Sequence, residues 1–399
     1  MASSDRQYGI IENIEKHIDQ LIMPSEIQPF DIIVNIEKHI KRISPWIPSQ
    51  AIIGIGKYPI QTILNGIIID NTGDILPLFI DKSTKEIGNW SQSRLKPYNI
   101  LGLDTKNDTL LWFHVYRDLI KNDSFIKRLK HKPLDYVSQA IVVASIEDGV
   151  GSSLFPLICS QLQMLNINPI ALSILPSKVQ PADAHFNAFS SLGLSISTGV
   201  TPIILIDRDN LENYVGVNRK GTTIKSNMII NYLLELLSEK TTLGQEISEL
   251  SRSFNIKFFS PILTTGASLR IYGSIENMLK TAILKPLLKF DLSSASVLYV
   301  FFRIPSHLKI KLAREKIDLS LANWFQDKVN LKSIYFTDPI YTQDTSDRID
   351  IVMLIGGFNT TKLFTSMKKK INSIKNETLN LGFIDDKEWK EIAESLIKD

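Results

Sequence analysis

The sequence holds one cysteine, Cys159, in 399 residues. That excludes an internal disulfide and leaves no thiolate metal cluster. Cys159 falls on the apolar face of a predicted helix and reads as inert core. No apolar run reaches the roughly 18 residues of a membrane-spanning helix, so no span is expected. Net charge is scarce at +3, which is no electrostatic footprint for nucleic acid. Histidine is scarce too. His114, His131, His185 and His307 are scattered, and His17 and His39 are too far apart in sequence for a local metal pair. No metal site is expected, and no His, Lys or Cys constellation suggests catalysis. The first residues, Met-Ala-Ser-Ser-Asp-Arg, lack the pattern of a signal peptide, so the expected location is cytoplasmic.

What is present is a globular composition, 44% hydrophobic and 22% charged. The length suffices for two domains with sizeable cores. Strand and helix signals alternate from residue 51 onward, which predicts a parallel, doubly wound sheet. Residues 1–50 read as a helical extension in which Asn-Ile-Glu-Lys-His-Ile occurs twice, at Asn13–Ile18 and Asn35–Ile40. These are expected to be two similar surface helices, or an arm for docking or polymer contact.

The most informative stretch runs from Ala140 to Gln161. A β-branched apolar run, Ala140 to Ala144, suits a buried strand. A turn follows with Gly149, Gly151, Ser152 and Ser153, and an apolar-periodic segment begins at Leu154 with Pro156 in its first helical turn. A strand, a small-residue turn and a helix N-terminus together suit a phosphate, because free N–H groups and the helix dipole point at the turn.

This stretch resembles the phosphate loop of the FtsZ/tubulin superfamily, Ala-Gly-Met-Gly-Gly-Gly-Thr-Gly-Thr-Gly-Ala-Ala-Pro. The two align without a gap on Ala144 and Pro156. Gly149 and Gly151 match family glycines, and Ser152 a family threonine. Ser145, Glu147, Asp148 and Ser153 stand where the family has glycine, and Val150 replaces a threonine. Upstream, Gly54 and Gly56 match the first glycine turn, and Gln61 stands at a family Asn. Lys57, Tyr58 and Pro59 replace its small residues. Downstream, Gln180 takes the place of a ribose-contacting carboxylate, and Arg208 that of an Asn near the base. Ile206, Asp209 and Leu211 match.

Thr222–Ser238 aligns with the family's central helix, expected here as one helix between two sheets. Asn227 suits the guanine-facing side, whereas Met228 replaces the Asp that pairs with the guanine edge. The loop Leu243–Leu250 keeps the two acids that, in the family, act on water in the next subunit's site, as Glu246 and Glu249. Lys285–Phe302 and Arg348–Phe358 also follow the family pattern.

The resemblance spans residues 51–358. It implies an α/β fold with a Rossmann-like, nucleotide-binding-type domain at 51–221 and a central helix at 222–240. A second α/β domain follows at 241–375, then a C-terminal helix at 376–399. The implied ligand is GTP or GDP with Mg²⁺, bound weakly. Two like charges about 5 Å apart at an effective dielectric near 20 repel by about 3 kcal/mol, so Glu147 and Asp148 oppose a triphosphate.

The implied partner is another copy, head to tail, or a GTP-binding relative. The favoured function is a scaffold or partner in a cytoskeletal or division assembly. One alternative is an active, polymer-forming GTPase with Glu246 and Glu249 as catalytic acids. A second is an unrelated doubly wound enzyme holding a small anion at Gly149–Ser153.

Overall fold

The computed structural model describes residues 48–66, 74–91, 99–104, 109–121, 123–132, 134, 136–326 and 332–397. The predicted helices of the N-terminal extension lie outside them.

The first half of the chain builds a parallel sheet from short apolar runs. β1 (Gln50–Ile55) and β4 (Gln139–Ser145) are buried at every residue. Strands covered by helices on both faces need that continuous apolarity. With β2 (Ile75–Asp81), β3 (Ile100–Gly102), β5 (Asn168–Leu175) and β6 (Ile203–Asp207) the order is β6-β5-β4-β1-β2-β3. The register sets Ile55 beside both Ile80 and Ala144. The turns after β1, β2 and β4 therefore leave the sheet side by side at its carboxyl end, where doubly wound sheets hold their ligands.

Helices α1 (Lys57–Leu64), α2 (Thr84–Ser91), α3 (Trp112–Lys121), α4 (Asp123–Lys130), α5 (Gly149–Met164) and α6 (Ala182–Ser197) connect these strands. A short α7 (Arg208–Glu212) follows β6.

The central helix starts later than the sequence suggests. Residues Thr223–Lys225 form β8, paired antiparallel with β7 (Val215–Val217). Thr223 and Lys225 are exposed while Ile224 is buried, so the period there is two, and β-branched side chains favour the strand. The helix proper, α8, is Ser226–Ser238. Its buried face carries Ile229, Ile230, Leu233, Leu234, Leu236 and Leu237.

After α9 (Leu243–Phe254) the chain enters β9 (Phe258–Ser268). β9 pairs with β6 through Ile203–Phe258 and Ile204–Phe259. One sheet of 11 strands thus runs through both halves, in place of the two sheets expected. Its second part holds β9, β10 (Val297–Pro305), β11 (Ser333–Phe336), β12 (Ile340–Thr342) and β13 (Arg348–Gly356), with β13 antiparallel between β10 and β9. α10 (Leu269–Tyr272), α11 (Ile275–Ala282) and α12 (Arg314–Gln326) complete this half.

Two features tie the halves together. Arg303 of β10, 1% exposed, pairs with the buried Asp350 of β13 at 2.7 Å and with Glu235 and Glu239 of the central helix segment at 2.5 Å each. Tyr232 Oη and the Gly266 N–H also donate to Asp350. Buried charges are tolerated when they are paired and hydrogen-bonded in this way. The second tie is the C-terminal pair α13 (Thr361–Asn380) and α14 (Asp386–Ile397), which packs on α6 of the first half. Trp389 stacks on Phe186 and Phe189 at 5.7 and 5.5 Å, and Phe383 stacks on Phe113 of α3 at 5.3 Å.

Candidate functional site

The two glycine turns meet at one residue, Asp148. Gly56 follows β1 with φ +82°, a conformation that favours glycine. A Cβ placed there would lie 3.9 Å from Asp148 Oδ2. Asp148 is the N-cap of α5, and its Oδ1 accepts the Gly151 N–H at 2.7 Å. Aspartate before a small-residue turn is a familiar cap, since it satisfies an amide that the helix leaves open. Capping moves the start of α5 forward to Gly149, so Pro156 sits about two turns inside the helix instead of in its first turn.

The amides and hydroxyls expected to cradle phosphate are already engaged. The Gly149 N–H donates to the Thr109 carbonyl at 3.1 Å. Ser152 Oγ donates to the Asp148 carbonyl, and Ser153 Oγ to the Gly149 and Trp112 carbonyls. Both serines are fully buried. The glycines serve close packing. A Cβ on Gly149 would sit 2.4 Å from the Thr109 oxygen, and one on Gly151 1.9 Å from the Ser145 oxygen.

Around this turn lies a cavity of about 380 Å³ lined by Lys57, Asp81, Lys82, Glu86, Thr109, Asp148 and Val150. Burial, with Asp81 and Glu147 adding to it, pushes the Asp148 carboxyl up to about 6 despite the opposing Gly151 hydrogen bond. Burial also raises Asp81, and Glu86 reinforces the shift.

Glu147 is not a free charge. Arg208 Nη1 reaches its two carboxylate oxygens at 2.6 and 2.7 Å, and Arg208 Nε reaches Glu212 at 2.9 Å. The guanidinium lies over the Tyr58 ring, 4.8 Å from its centroid. Tyr58, Glu147, Arg208 and Glu212 thus form one polar clamp beside the turn. By sequence alone, Glu147 and Asp148 are two like charges facing a phosphate. Here one is neutralised by Arg208 and the other caps a helix.

The remaining predicted residues divide by location. Gly54 is interior to β1, where a Cβ would press on Ile63 and Phe79 at 3.1 and 3.2 Å. Gln61 is half-buried within α1. Gln180 lies in the turn after β5, which Asp209 holds through Ser177 Oγ and the Lys178 N–H. Asn227 falls in the first turn of α8, with its side chain outside the described residues.

Glu246 and Glu249 sit on α9 at the other end of the strands. The Gly244 N–H donates to Gln139, the first residue of β4, whereas Asp148 follows its last. A seven-residue strand separates those ends by about 20 Å.

Glu246 is a structural acid. It accepts from Lys240 Nζ at 2.8 Å, Tyr299 Oη at 2.7 Å and Thr242 Oγ1 at 2.7 Å. Burial opposes its ionisation, but those bonds outweigh it and hold its carboxyl below the usual range. Glu249 is exposed and accepts only from the neighbouring Gln245 side chain at 2.9 Å among the described contacts.

The amides of Gly149 and Gly151 and the hydroxyls of Ser152 and Ser153 are spent on protein oxygens, and the cavity lining carries three carboxylates against two lysines. No group of three or more metal-ligating side chains occurs among the described residues. Three roles are not read from the sequence: Asp148, expected only to oppose phosphate, is a cap, Tyr58, noted only as replacing a small residue, is a platform, and Thr109 is an acceptor. An Asp placed before Gly-x-Gly-Ser-Ser is the one local signal among them, because it reads as an N-cap.

No family model matches this sequence, and no curated protein sequence matches it. Solved structures do match. CetZ from Methanosaeta thermophila strain DSM 6194 superposes with a TM-score of 0.66 at 14% identity, over 88% of this chain and 97% of that one. CetZ2 from Haloferax volcanii, a GTPγS-bound protofilament, gives 0.60 at 15% identity, over 82% and 99%. An empty FtsZ dimer from M. jannaschii gives 0.55 at 13% identity, over 83% and 93%. The class is therefore mixed α/β, with a large and mainly parallel sheet. Within that class the chain has the FtsZ/tubulin-like fold.

Proposed function

We propose that this chain is an FtsZ/tubulin-like scaffold or filament partner that binds GTP or GDP weakly or not at all. The observation that carries the reading is the Asp148 carboxylate on the Gly151 amide. A fixed anion already occupies the helix N-terminus that would hold a phosphate, and a second anion there is repelled. Arg208, which replaces a base-site Asn by resemblance, is committed to Glu147 and Glu212. Its partner in an assembly would be a nucleotide-binding relative or another copy, with cytoplasmic location the natural setting.

One observation favours the alternative of an active polymer. The exposed Glu249 and the Asp148 turn lie at opposite ends of the strands. Head-to-tail stacking would bring the acid of one subunit to the turn of the next, a contact that generates open filaments. The GTPγS-bound CetZ2 protofilament has a comparable fold.

A fluorescent-GTP titration of the full chain, with and without Mg²⁺, separates the two. The scaffold reading expects binding no tighter than the high micromolar range, improved in the double variant Glu147→Gly, Asp148→Gly. Tight wild-type binding with GTP-dependent sedimentation and phosphate release would overturn it in favour of the polymer.

A further inference from the structure

β9 and β10 run in the same direction, each antiparallel to β13 between them. Their carboxyl ends therefore lie at one end of the sheet, two strand spacings or about 10 Å apart. β9 leads into α10, and β10 leads into the turn at 306–313. Both loops are fastened at their bases. The Leu269 and Arg270 N–H groups donate to Asp347 at 3.0 and 3.2 Å. Ser306 Oγ donates to the Thr342 carbonyl at 2.9 Å, and Lys309 Nζ lies 4.9 Å from the Tyr341 ring centroid.

Above those anchors each loop presents an isoleucine to water. Ile271 is 75% exposed and Ile310 is 89% exposed. Segments 269–273 and 306–313 contribute Arg270, His307, Lys309 and Lys311 and no acidic residue. Between them, the approach to β13 carries Asp347, which faces Arg270, and Asp344, which pairs with Arg219, so the positive charge of this apolar-tipped end rests chiefly on Lys309 and Lys311.

We propose that these two loops dock the protein on an anionic lipid surface. Ile271 and Ile310 enter the boundary between headgroups and acyl chains. Arg270, Lys309 and Lys311 stay at the level of the lipid phosphates, with their apolar stems following the isoleucines inward. Shape favours a bilayer over an acidic peptide. Peptides are recognised in grooves or along sheet edges, whereas two anchored knobs at one end of a sheet can touch a single deformable plane together. The inference stands apart from the nucleotide site and from the filament reading.

The test is co-sedimentation of the full chain with phosphatidylcholine vesicles and with vesicles that also contain phosphatidylglycerol. Binding is expected only to the anionic vesicles and should fall as salt rises. Lys309→Gln and Lys311→Gln should each weaken it roughly fivefold. Ile310→Glu should abolish it with an unchanged melting temperature, since the side chain is exposed. In Ile310→Trp, the fluorescence of the introduced side chain should shift to the blue when anionic vesicles are added.

Failure to bind anionic vesicles, undiminished binding by Ile310→Glu, or no blue shift would overturn the proposal. Binding of soluble polyglutamate without vesicle binding would overturn it in favour of an acidic protein partner.

Discussion

Replacing Asp148 by Asn tests the local electrostatics most directly. The folded protein raises this carboxyl from 3.8 to about 6, chiefly through burial. At 1.36 kcal/mol per unit, keeping it ionised costs the folded state about 3 kcal/mol. That figure is already net of the Gly151 hydrogen bond, which favours the charged form. Asn retains the cap, because its side-chain oxygen can still accept the Gly151 N–H.

The net expectation is that Asp148→Asn is more stable than wild type by about 3 kcal/mol at pH 8. Below the unfolded value of 3.8 both states hold the proton and the cost is absent. It grows between 3.8 and about 6, as the unfolded chain releases its proton first, and is complete above 6. Wild-type stability therefore loses this contribution as pH rises, and the advantage of Asn shrinks toward zero on acidification. Urea unfolding of both proteins near pH 8 and near pH 4 measures it. An equal difference at both pH values, or a less stable variant at pH 8, would refute the reasoning.

Two further outcomes follow from the charge networks. Arg303→Met strands the buried Asp350 and should lower stability by about 3–5 kcal/mol in thermal or urea melts, with partial recovery when Asp350→Asn is added. Glu246→Gln breaks charge-assisted bonds to Lys240 and weakens those from Tyr299 and Thr242, and should cost about 1–3 kcal/mol. Glu249→Gln should change stability by less than about 0.5 kcal/mol. If the protein releases phosphate from GTP, only Glu249→Gln should lower that rate without lowering the melting temperature.

The contrast between those two acids shows where sequence reasoning stops. Their spacing by three residues was legible, but the segment Leu243–Leu250, expected as a loop, is the first part of a helix, α9. That Glu246 is consumed by Tyr299, 53 residues away, was not legible. Apolar runs located strands well: Ala140–Ala144 became Gln139–Ser145. A fully buried parallel strand demands unbroken apolarity, so composition alone reports it.

The helix at 222–238 failed at its start for a related reason. Thr223–Lys225 could satisfy a period of two only because Val215–Val217 was available as a partner strand.

The position of the candidate site was determined by the sequence itself, through glycines and small residues spaced between a strand run and a helical pattern. Its chemical state was decided by the tertiary structure. Thr109, 40 residues before Gly149, takes the Gly149 amide, and Arg208, 61 residues after Glu147, takes that carboxylate. Neither pairing leaves a trace in local spacing, because a hydrogen bond depends on which groups the folded sheet brings within 3 Å. The strand–turn–helix pattern shows that amides point at the turn, and only the packed chain shows that Asp148 and Thr109 already hold them.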